Sequence, residues 1–71
     1  MPTAAEIQES INAAKYLLIE KMAFQGTDQW KHLSRLYNQA LVAFDKGRGA
    51  VDPRLIERLK EAYSTLGVLN Q

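Results

Sequence analysis

The stretch Trp30-Lys31-His32-Leu33-Ser34-Arg35-Leu36-Tyr37-Asn38-Gln39-Ala40-Leu41-Val42-Ala43-Phe44 decides the fold. Within it Trp30, Leu33, Tyr37, Ala40 and Phe44 recur at steps of three, four, three and four, which places them on one side of an α-helix. Leu36, Leu41 and Ala43 widen the stripe, while Lys31, Ser34, Arg35, Asn38 and Gln39 project from the remaining surface. A helix with one apolar side holds its shape in water only when that side is covered. The covering elements have to come from the flanks.

Upstream, Thr3 and Glu6 have the spacing of a capping box, so a helix is expected to begin at Ala4. Ile7, Ile11, Ala14, Leu18 and Met22 then form its core-facing stripe, and Gly26 supplies a stop in the left-handed cap conformation. Thr27 caps the central helix, with Asp28 near its positive end. So short a connection predicts an antiparallel hairpin. Downstream, Lys46-Gly47-Arg48-Gly49 breaks the helical pattern, and a loop runs to Val51. Asp52 reads as an N-cap and Pro53 as the first residue of a third helix, with Val51 and Ile56 at the spacing of a hydrophobic staple. Leu55, Leu59, Ala62, Leu66 and Leu69 make its stripe, flanked by Ile56 and Tyr63, and Glu57 and Lys60 stand close enough to pair. The expected fold is all-α: three helices over about residues 4–25, 28–46 and 53–67, joined as antiparallel hairpins in one domain spanning 1–71.

A chain of 71 residues buries only about 60% of the surface its unfolded form exposes, so its margin of stability is thin. Small scaffolds offset this with disulfides, a metal or a second subunit. Cysteine is absent and His32 is the single histidine, which leaves association with another chain. The N-terminal Met-Pro-Thr-Ala-Ala-Glu lacks the basic segment of a targeting signal, and no apolar run approaches the roughly 18 residues of a membrane span. The expected setting is cytoplasmic.

Candidate chemistry is sparse. His32 has no nucleophile pattern around it, the carboxylates form no acid and base pair, and no cofactor or metal motif is present, so no enzyme activity, cofactor or small-molecule substrate is expected. The loop Lys46-Gly47-Arg48-Gly49 is glycine-rich and basic but lacks the lysine that leads directly from a phosphate-binding loop into a helix. Arg54, Arg58 and Lys60, together with the Lys46–Gly49 loop, offer an alternative reading as a small nucleic-acid-binding protein. Glu57 and Glu61 interleave with those bases, and nine basic residues against eight acidic ones give little general attraction to phosphate.

Trp30, Leu33, Tyr37, Phe44 and Pro53 resemble fragments of a tetratricopeptide repeat, without the signature alanine at its distance after the tyrosine. The run from Ala40-Leu41 to Asp52-Pro53, with Leu55, Leu59 and Tyr63, is similar to the helical hairpin of type III secretion needle subunits and their small helical co-chaperones. A needle subunit carries a long C-terminal helix, whereas eight residues follow Tyr63 here.

The second half of the first helix is the anomaly. In Tyr16-Leu17-Leu18-Ile19-Glu20-Lys21-Met22-Ala23-Phe24, Leu18 and Met22 continue the core stripe. Leu17 and Phe24 lie about 100 to 160° round from it, and Tyr16 and Ile19 lie on the other side. If this helix is flanked on two sides, one surplus face is absorbed; a face left exposed marks a protein interface. The sequence therefore predicts a non-catalytic interaction module, an adaptor, co-chaperone or inhibitor of the kind phages and secretion systems encode. It acts on another protein or as a homodimer, with Tyr16, Leu17, Ile19 and Phe24 as candidate interface residues.

Overall fold

The computed structural model describes residues 3–70 and shows three α-helices, α1 (Ala4–Glu20), α2 (Asp28–Lys46) and α3 (Pro53–Gly67), with no strand among the described residues. Met1, Pro2 and Gln71, included in the expected 1–71 domain, lie outside them. The molecule measures 37 × 18 × 17 Å. A cross-section that narrow accommodates three helices of about 10 Å diameter only when all run along the long axis.

The boundaries of α2 and α3 fall where their caps place them. The Thr27 hydroxyl accepts from the Trp30 N–H at 3.2 Å and donates to the Phe24 carbonyl at 2.7 Å, so one side chain closes the preceding turn and opens α2. Asp52 Oδ1 accepts from the Arg54 N–H at 2.9 Å, Pro53 follows as the first helical residue, and Val51 and Ile56 are both buried, which completes the staple. At the start of α1 the Thr3 hydroxyl accepts from the Glu6 N–H at 3.2 Å and donates to the Glu6 carboxylate at 3.3 Å.

The end of α1 differs from expectation. The α-helix stops at Glu20 rather than running to residue 25, and a 3₁₀ turn over Met22–Phe24 leads to Thr27. The reason is a tertiary hydrogen bond: the Trp30 indole N–H donates to the Leu18 carbonyl at 3.0 Å, taking the acceptor that a continuing helix would offer to Met22. Lys21 Nζ reaches the Leu69 carbonyl at 2.7 Å and so ties this corner to the segment after α3. Tightening the turn exchanges two side chains. Met22, expected in the core, is exposed, and Phe24 packs against the core instead. Gly26 does not adopt the left-handed conformation expected of it, because the stop has already been made five residues earlier.

The loop after α2 uses backbone geometry in place of that side-chain device. The Gly49 N–H donates to the Phe44 carbonyl at 2.9 Å, a bond of the Schellman type, with Arg48 in the left-handed region at φ 53°. Gly49 follows at φ 93° and is buried beside Ala4 and Phe44, which fastens the start of α1 to the end of α2.

One buried cluster draws on all three helices: Ile7, Ile11, Ala14, Leu17 and Leu18 from α1, Leu33, Leu36 and Ala40 from α2, and Ile56, Leu59, Ala62 and Leu66 from α3, with Val51 from the loop. No polar or charged side chain is buried among the described residues. Trp30, Tyr37, Phe44 and Leu55 cover the cluster, and Leu69 caps it from beyond α3. Leu41, expected to widen the α2 stripe, is exposed. The expected Glu57–Lys60 pair does not form, and the one salt bridge among the described residues joins Arg54 Nε to Asp52 Oδ1 at 3.6 Å.

Candidate functional site

The four candidate interface residues separate into two groups. Leu17 is only 7% exposed and belongs to the core, and Phe24 packs against it. Leu17 is thereby corrected from an exposed candidate to a core residue, because α1 is flanked on two sides and the packing that receives Leu18 also receives Leu17, while Phe24 is partly buried. Tyr16 and Ile19 face outward, 65% and 57% exposed. They stand three residues apart on one side of α1, with Met22 also exposed just beyond the helix end.

This outward face carries both apolar and charged groups. Glu9, Asn12 and Glu20 are exposed on the same helix, and Lys15 Nζ lies 5.9 Å from the centre of the Tyr16 ring. That separation is at the outer limit of a cation–π contact and leaves the aromatic face largely open. Tyr16 and Ile19 thus present an aromatic and a branched aliphatic side chain to solvent with charged groups around them.

Three further surface features stand outside the four candidate residues. Val42 is half exposed on α2 within a shallow concavity lined by Asn38, Gln39, Ala43 and Lys46. Its neighbours one helical turn away, Asn38, Gln39, Asp45 and Lys46, are all polar, which is the signal that was available. Tyr63, expected to flank the α3 stripe, projects beside a groove of about 360 Å³ between α1 and α3, lined by Ser10, Ala13, Leu59, Lys60 and Ser64. The small residues Ser10 and Ala13 open that groove because they leave a gap between helix backbones. Val68 is exposed past the end of α3.

The residues of the nucleic-acid alternative make no single basic surface. Arg54 is engaged with Asp52, Lys60 lines the α1–α3 groove, and Arg58 is exposed on a helix that also exposes Glu57 and Glu61. Lys46 ends α2, and Arg48 holds the left-handed position of the following turn. His32 is exposed. No group of three His, Cys, Asp or Glu side chains among the described residues stands together as a metal site, and no described helix is long and apolar enough to cross a membrane.

Comparison with known proteins adds no relative: no protein-family model, no curated protein and no solved structure matches the chain.

Proposed function

We propose that this chain is a non-catalytic, cytoplasmic protein-interaction module that docks on its partner through the outward face of α1, with Tyr16 and Ile19 as the apolar anchors. One observation supports this reading above the others: two large apolar side chains stand exposed together on a helix whose opposite side is fully used by the core. Scattered exposed hydrophobics are ordinary, but an aromatic and a branched aliphatic side by side gain most by being covered.

The test is a pair of charge substitutions read by circular dichroism and by binding. Ile19→Asp, or Tyr16→Asp, is expected to keep the helical signal and abolish association with a second chain, because each charge sits in water until the interface closes over it. Leu17→Asp, one or two residues away, is expected to unfold the protein, since it forces an unpaired charge into the core. A Tyr16 and Ile19 double variant that binds its partners as the wild type does would overturn the assignment.

A further inference from the structure

Two outward faces carry matching patterns of opposite charge that the fold leaves unused. On α1, Glu9, Tyr16 and Glu20 are exposed at spacings of seven and four. On α2, Arg35, Val42 and Lys46 are exposed at the same spacings of seven and four. Such spacings return to within an arc of about 40° on a helix, so each trio forms one stripe. Acid, aromatic and acid on one helix answer base, aliphatic and base on the other. None of these charges is in the molecule's described salt bridge, which joins Arg54 and Asp52.

The stripes cannot meet within one chain. The contact between α1 and α2 is marked by the Trp30 indole on the Leu18 carbonyl. Glu9, Tyr16 and Glu20 lie about 160 to 200° round α1 from Leu18, and Arg35, Val42 and Lys46 lie about 120 to 160° round α2 from Trp30. Both stripes therefore face away from that contact.

We propose that they are the two halves of a self-association contact, in which α1 of one copy lies parallel to α2 of a second. Glu9 faces the second copy's Arg35, Tyr16 its Val42 and Glu20 its Lys46. Direction is fixed by the spacing. An antiparallel arrangement centred on Tyr16 and Val42 sets Glu20 opposite Asn38 and Glu9 opposite Gly49, so both ion pairs are lost. In the parallel register Lys15 and Asp45 lie roughly 100° round their helices from the stripes, so both stand at the edges of the contact rather than across it. Within the two stripes no like charges are opposed.

This inference rests on the outward face of α1 being a binding surface and names a second copy of the chain as what binds there. The contact is heterologous, so each bound copy still presents one unused stripe, and growth continues to a ring or an open chain rather than stopping at a two-fold dimer. A single helix face is small for an interface, and exposed ion pairs are screened by salt, so association is weak and strongest at low ionic strength.

The test uses sedimentation velocity on the full chain up to millimolar concentration, with circular dichroism to verify folding. The wild type is expected to show a mass that rises with concentration at low salt and falls back towards the monomer at about 0.5 M salt, where screening acts within about 4 Å. Glu9→Lys with Glu20→Lys opposes like charges across the contact, as does Arg35→Glu with Lys46→Glu, and each double variant alone should associate at least about tenfold more weakly than the wild type. Mixing the two doubles restores opposite charges at the contact and should restore association. Should either double unfold, Glu20→Lys and Lys46→Glu singly take their place. A wild type that stays monomeric at all concentrations overturns the inference, as does an Arg35 and Lys46 variant that still self-associates, or a mixture that fails to recover. A monomeric wild type that binds a different protein in a manner sensitive to Ile19→Asp overturns the second copy as partner while upholding the interaction face. Indifference of all binding to Tyr16 and Ile19 overturns that face itself.

Discussion

Three consecutive residues after α2 illustrate how differently neighbouring side chains respond to one turn. A Cβ at Gly47 would collide with the Ala50 carbonyl oxygen and stand 3.0 Å from that of Ala43, both backbone atoms with little freedom to move. Gly49 combines φ 93° with a Cβ position 2.8 Å from the Ala4 Cβ, so any side chain there is strained and also pushes α1 away. Arg48 between them already carries a Cβ and occupies the left-handed region, which costs an L-residue about 1–2 kcal/mol. Glycine at position 48 removes that strain and gives back about 0.5–1 kcal/mol through the entropy of the unfolded chain. Arg48→Gly is therefore expected to be neutral or to stabilise by up to about 1 kcal/mol, whereas Gly47→Ala and Gly49→Ala each destabilise by more than about 1 kcal/mol. Urea denaturation of the three variants checks the order; a stabilised Gly49→Ala would show that the turn is not built as described.

At the scale of the element, the start of α3 is the clearest case of local sequence specifying structure. Asp52→Ala removes the side-chain acceptor for the Arg54 N–H and is expected to cost about 1 kcal/mol, measured by the shift of the denaturation midpoint. An unchanged midpoint would mean that the exposed cap is replaced by water without loss. This boundary was legible because cap, proline and staple all lie within Val51 to Ile56, and α2 was legible in both bounds for a similar reason. The exit of α1 was not. Gly26 advertised a stop, but the helix is ended by Trp30, twelve residues from the carbonyl it binds, and by Lys21 reaching Leu69, 48 residues away. Neither bond leaves a trace in periodicity. The same corner explains the divided fate of the surplus apolar face: with Phe24 turned inward and Leu17 covered, only Tyr16 and Ile19 of the four expected residues remain exposed. Helical spacing identified two possible surplus faces on α1, but choosing between them required the position of its neighbours, which is a tertiary fact.

Across the whole molecule, electrostatics and stability are separated in space. The core contains no buried polar or charged side chain among the described residues, and the described salt bridge is exposed, with Arg54 and Asp52 side chains 86% and 56% accessible. Exposed pairs of this kind contribute between nothing and about 1 kcal/mol, and salt reduces that further. Folding therefore depends on apolar burial and on the corner hydrogen bonds, while the unpaired charges of α1 and α2 are available to act between molecules. The expected outcome is that the free energy of unfolding, measured on dilute monomer, changes by less than about 1 kcal/mol between low salt and about 0.5 M sodium chloride, whereas intermolecular association over the same range is strongly weakened. Binding to DNA or RNA, if any occurs through Arg54, Arg58, Lys60 and the Lys46–Gly49 loop, should be nonspecific and lost by physiological salt, because Glu57 and Glu61 limit how many phosphates this surface neutralises. Calorimetric or optical melts at the two salt concentrations, beside sedimentation and nucleic-acid titrations in the same buffers, separate these effects. A large loss of stability with salt would place important ion pairs inside the folded monomer, and sequence-specific, salt-resistant nucleic-acid binding would replace the protein-interaction reading with the alternative.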